Sequence, residues 1–116
     1  MQYYVEMGIT RTDIHPDQIN DLSALLQALG HPARLRILDI LIERNECVGH
    51  SLVEELGLSQ PTVHQHLKRL KEVGLIQGTI EGNRVCYCID SAAFDRLKKE
   101  LYGFLDRPIK SQSCKR

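Results

Sequence analysis

Apolar positions recur at helical spacing twice before residue 45, and each run is closed by a residue that cannot continue it. From about Asp13 or His15, with Pro16 in the first turn, Ile19, Leu22, Leu25, Leu26 and Leu29 mark one face of a helix that Gly30 ends. Pro32 opens a second, ARLRILDILIER, whose Leu35, Ile37, Leu38 and Leu41 form an apolar face while Arg34, Arg36 and Arg44 point outwards; Asn45 stops it. Ser51 reads as the N-cap of a short helix, LVEEL, with Glu54 completing a capping box and Gly57 following as the C-cap residue. Ser59 repeats the device for QPTVHQHLKRLKEV, with Pro61 in the first turn and Val63, Leu67, Leu70 and Val73 as the buried stripe.

After Gly74 the apolar period changes from that of a helix to that of a strand. LIQGTI and RVCYCI then read as a two-stranded hairpin around a Gly-Asn turn. Asp90 or Ser91 caps a last helix carrying Phe94, Leu97, Leu101, Phe104 and Leu105 on one side. The expectation is a mainly α fold with a small β-hairpin wing, α-α-α-α-β-β-α: a winged helix-turn-helix. Residues 1–12 are expected to form an arm, 13–106 the domain, and 107–116 a basic tail without structure.

Two helices joined by about four residues with a glycine in the turn place the second helix end-on to a DNA major groove, the first bracing the phosphate backbone. Off the buried stripe stand Thr62, Gln65, Lys68 and Arg69, with Gln60 and His64 flanking the N-terminal turn. Gln and Thr can read base edges, whereas Lys68 and Arg69 suit phosphates, which set register without specifying sequence. In the wing, Asn83 and Arg84 follow a glycine, so Arg84 can reach the adjacent minor groove or its phosphates.

Charge complicates this picture. Fifteen basic residues balance fifteen acidic ones over 116 residues, against the basic surplus usual in nucleic-acid binding. Distribution restores it in part, since Gln60 to Arg84 holds Lys68, Arg69, Lys71 and Arg84 against Glu72 and Glu81, with His64 and His66 besides. The alternative is a winged-helix module that pairs with protein and not with DNA. A length suited to one domain, 42% hydrophobic and 26% charged residues imply a single folded unit. No apolar run approaches the ~20 residues of a membrane helix, and the first thirty residues lack a signal peptide's pattern, so a cytoplasmic location is expected. No string brings together nucleophile, base and oxyanion group, and neither a phosphate loop nor H-E-x-x-H occurs, so neither an enzyme nor a cofactor is expected.

The strings ALGHPARLRILDIL, LGLSQPTVHQHLKRLKEVGLI and GNRVCYCID resemble the ArsR/SmtB family of transcriptional repressors, from about Leu25 to Leu105. The resemblance implies a homodimer formed by the first and last helices. It would bind double-stranded DNA at an inverted-repeat operator until an inducer releases it. It also implies that Gln60, His64 and Gln65 are the residues most often in contact with bases, His64 standing where the family commonly has a small Ser.

Many relatives of that family sense metals through thiolates in a string such as E-L-C-V-C-D-L, where this chain has NECVGHSL. Cys47 retains one cysteine and Gly49 stands in place of the second; aligned on Leu52 instead, His50 takes the second ligand position and Val48 the first. Cys47 with His50 is a candidate pair, set against Cys47 as a small buried hydrophobe. The family's other metal site would fall on Ser91, Ala93, Phe104 and Arg107, none a usual zinc ligand, so no metal is expected there. Cys86 and Cys88 project to one face of their strand, about 7 Å apart, poorly placed for a disulfide but able to share a soft ion or meet an oxidant; Cys114 could join them. They can equally be incidental cysteines on a wing.

Overall fold

The computed structural model of the chain describes residues 15–44, 51–81 and 84–111. Helices α1 (Asp17–Leu29), α2 (Pro32–Arg44), α3 (Ser51–Leu56) and α4 (Gln60–Glu72) precede strands β1 (Ile76–Glu81) and β2 (Arg84–Ile89), and α5 (Ser91–Leu105) follows. This is the element order that periodicity and breakers imply.

Two helix starts differ from expectation by small amounts. Pro16 is the N-cap of α1, with ψ at 146°, and the helix begins at Asp17 and not at His15. Proline's ring disfavours helical ψ in the residue before it, and His15 stays outside the helix. Ser51 is the first residue of α3 where a cap was expected. At the other end of α3, Gly57 takes φ +66° and donates its N–H to Val53 O at 3.1 Å, a left-handed closure that suits glycine.

The core centres on α2, which touches α1, α3, α4 and β2. Ile37, Leu38, Ile40 and Leu41 are its buried residues. Leu35 is 52% exposed, contrary to the sequence reading, and Ile40 takes a buried place instead. Apolar residues occupy more than half the circumference of this helix, and the neighbours cover only one side, leaving Leu35 and Ile42 outside. Arg34, expected to point outwards, is half-buried and turned towards α1 and α4, whereas Arg36 and Arg44 are exposed. Arg44 forms an ion pair with Glu55 that ties the end of α2 to α3.

The passage from α4 to the wing is closed by a double hydrogen bond. Gly74, at φ +80°, donates to Lys71 O at 2.9 Å, and Leu75 donates to Leu70 O at 3.1 Å, the two bonds of a Schellman motif with its apolar contact between fully buried Leu70 and Leu75. Leu75 O in turn accepts from Asp90 N at 3.0 Å, so one buried residue anchors both the start and the finish of the hairpin. The strands pair antiparallel from Ile76 opposite Ile89 to Glu81 opposite Arg84. Tyr87 turns inwards from β2 into the core, and burial raises its phenol pKa above the ordinary value. Asp90 caps α5, its carboxylate accepting from Ala93 N at 3.1 Å.

Candidate nucleic-acid interface

Helix α4 owes its position to its own first turn and to one apolar stripe. Ser59 holds an extended backbone, and its Oγ accepts from Thr62 N at 3.4 Å, satisfying an amide that the helix leaves without a partner. Pro61 suits the first turn because its missing N–H would have had no intrahelical acceptor. Val63, Leu67 and Leu70 are buried, and they fix which face of α4 looks outwards. On that outer face Gln60, Gln65, Lys68 and Arg69 are exposed.

The other two residues expected on this helix are half-buried. Thr62 shares its hydroxyl with Ser59 Oγ at 2.9 Å, so the group is already engaged in the cap. His64 stands beside the buried stripe. Arg69 lies 4.0 Å from Glu72 across one turn, a loose exposed pair of little energetic weight. Lys71 reaches away from the outer face to donate its Nζ to Gly78 O at 2.7 Å, which fastens α4 to β1. In the wing, Arg84 opens β2, while Asn83 lies outside the described residues. Helix and hairpin thus lie side by side, fastened to one another through Lys71 and Leu75, the arrangement by which one element occupies a major groove while the other reaches a flanking groove.

A group of residues behind the interface went unread in the sequence. Arg34 donates from Nε to Ala28 O at 2.6 Å and from Nη2 to Gln27 O at 3.2 Å, and its Nη1 lies 3.3 Å from His66 Nδ1. The His66 ring also meets His31, with centroids 4.4 Å apart and planes tilted by 46°. His31 itself serves as a cap for α2, its Nδ1 accepting from Ala33 N at 3.0 Å. Burial, then the charge of Arg69, lowers the Arg34 pKa; burial, then His31 and Arg34, lowers that of His66. The signal for Arg34 was available, since it precedes Ile37 and Leu38 by three and four positions and therefore lies on their face of the helix.

Cys86 is exposed and Cys88 half-buried on β2, alternating with buried Tyr87. Cys47, His50 and Cys114 lie outside the described residues. Among the described residues no group of three or more His, Cys, Asp or Glu side chains is gathered as a metal site.

A capped helix-turn-helix followed by a paired hairpin and a closing helix defines a winged-helix DNA-binding domain of the kind found in bacterial transcriptional regulators. The family model described as "Bacterial regulatory protein, arsR family" matches residues 31–77. The "HTH-type transcriptional repressor SmtB" of Mycobacterium tuberculosis is 44% identical over 73 residues, which cover 62% of this chain and 53% of that protein. The chain thus spans about half the length of that relative. The "Biofilm growth-associated repressor" of Xylella fastidiosa is 32% identical over 94 residues, 81% of each chain. A solution structure described as the homodimeric winged helix-turn-helix DNA-binding domain of a possible ArsR-family regulator from Mycobacterium bovis superposes with a TM-score of 0.61 at 22% identity. It covers 94% of this chain and 100% of that one, a likeness of fold. The chain belongs to the ArsR family of bacterial regulatory proteins.

Proposed function

We propose that the protein is a sequence-specific DNA-binding transcriptional repressor of the cytoplasm. It acts as a homodimer on an inverted-repeat operator and is released by an inducer or by thiol modification. The observation that carries this reading is the outer face of α4, where Gln60, Gln65, Lys68 and Arg69 stand exposed opposite the stripe that holds the helix to the core. Gln60, His64 and Gln65 are assigned to base edges, with Thr62, whose hydroxyl is shared with Ser59 Oγ, offering its methyl group beside them; Lys68 and Arg69 are assigned to phosphates, and Asn83 and Arg84 to the groove beside the wing.

The test is binding to a duplex taken from the DNA upstream of the protein's own gene, followed across a range of salt concentrations. Affinity should fall steeply with salt. The Lys68→Ala, Arg69→Ala double variant should flatten the logarithmic slope by about 1 to 2, because each phosphate contact contributes roughly 0.9. No binding at low salt, or a flat slope, would favour the protein-pairing module.

Dimerisation is assigned to α1 and α5, which pack together and leave apolar residues outside. Ile19 and Leu26 of α1 and Tyr102, Phe104 and Leu105 of α5 are all exposed in the single chain, Leu105 at 65% and Tyr102 at 70%. An exposed apolar surface shared by two adjoining helices is the usual mark of an interface. Leu105→Glu should raise the dimer dissociation constant by about 30-fold or more, a hot-spot effect, as measured by sedimentation equilibrium. An unaltered constant would place the interface elsewhere.

A further inference from the structure

Every helix ends on carbonyls that its own backbone leaves without partners. At the end of α1, Ala28 O accepts from Nε of Arg34, Gln27 O accepts from Nη2 as well as from Gly30 N, and the same planar group turns its Nη1 to His66 Nδ1 on α4. One side chain of α2 therefore bonds to α1 and to the helix assigned to the major groove. We propose that Arg34 is the positioning residue of that helix: its guanidinium ties α4 to the C-terminal end of α1 through a neutral His66 ring, and protonation of His66 uncouples them.

The chemistry of the donors requires the neutral ring. A guanidinium can only donate, so His66 Nδ1 must keep its lone pair and the ring proton must sit on Nε2. His31 is constrained in the same way, because its Nδ1 accepts from Ala33 N. A second proton on His66 would set N–H against N–H and place a new charge beside Arg34, with the His31 ring centroid 4.4 Å away. The titratable and charged groups facing His66 are His31 and Arg34, with Arg69 facing Arg34 in turn; Lys71 is turned to Gly78 O. Among the described residues no carboxylate pairs with His31, Arg34 or His66 to absorb the added charge.

Sign follows from direction. The folded chain holds the His66 pKa below its ordinary value, so the link is complete above about pH 6.5, the ordinary histidine value, and is lost as pH falls through the lowered one. For DNA binding, which rests on the function proposed above, the consequence is weaker affinity in acid.

The experiment follows the imidazole nitrogens and backbone amides of the full chain by NMR through an acid titration, for the wild type and for His66→Asn. Asparagine places an amide oxygen near the position of Nδ1, able to accept from Arg34 without titrating. In the wild type His66 should show a single Nε2–H form, and the amides of Leu29 and Gly30 at the end of α1 should shift with the His66 midpoint. In His66→Asn that shift should vanish. A proton on Nδ1 of neutral His66, or α1 amides indifferent to its titration, would overturn the proposal; the wild-type data decide this even where the variant does not fold. In parallel, wild-type affinity for the upstream duplex should drop about 10-fold across the same midpoint, and that of His66→Asn should not. If the amide coupling is present and no duplex is bound at any pH, the DNA-binding reading fails and the link between the helices stands.

Discussion

Replacing Gly78 by alanine is expected to cost about 3 kcal/mol of stability, the sum of backbone strain and an overpacked contact of one or two kcal/mol each. Gly78 sits in β1 at φ +151°, opposite Tyr87. A Cβ placed there would lie 2.0 Å from Cys86 O and 2.9 Å from Tyr87 Cα. Both obstacles are backbone atoms, so no change of rotamer relieves them. Nor can β2 simply retreat, because Tyr87 is 4% exposed and belongs to the core, and the hairpin is anchored at both ends through Leu75. The wing must therefore separate, breaking the bond from Lys71 to Gly78 O as it does so. Thermal unfolding should register a fall of about 10 °C for a chain of this size. Gly103→Ala supplies the control: nothing lies within 4 Å of the added carbon, and alanine in place of helical glycine should leave the melting temperature level or raise it. An unchanged melting temperature for Gly78→Ala would show that the strands do not approach as closely as described.

Leu67→Ala should be comparably damaging, at about 3 kcal/mol, and Leu35→Ala should cost less than about 1 kcal/mol. Leu67 is 1% exposed on α4, where it is packed into the core with Ile37 and Leu70, and its removal leaves a cavity that flanking helices cannot close without moving. Leu35 is 52% exposed, so most of its surface is in water in the single chain before any truncation. Urea unfolding of the two variants separates the cases, with a lower midpoint at unchanged slope expected for Leu67→Ala. Equal losses would mean that Leu35 is covered in solution, on a surface that the single chain leaves open.

The contrast between these two leucines marks where the sequence stops being informative. Both sit at positions that helical periodicity assigns to an apolar face. For α4 the polar residues outnumber the apolar ones, so the stripe of Val63, Leu67 and Leu70 admits one orientation. For α2 the apolar residues wrap too far round the helix, and two orientations are compatible with the pattern.

What the sequence determined by itself is local. Ser59 with Pro61, Asp90, Gly57 and Gly74 punctuate the chain through hydrogen bonds and dihedral preferences that involve neighbours within a few residues. The alternation through Tyr87 is likewise a property of the strand alone. Hence the order of elements, the helix-turn-helix and the outward placement of Gln60, Gln65, Lys68 and Arg69 were readable in advance. Tertiary structure decided the rest, because it depends on atoms brought together from distant parts of the chain. It chose the buried side of α2 and gave Gly78 its reason in the backbone of the opposite strand. It also turned Arg34 inwards to meet carbonyls six and seven residues behind it and a histidine thirty-two residues ahead. A guanidinium leaves water only where enough fixed acceptors converge on it, and their convergence is a property of the folded chain.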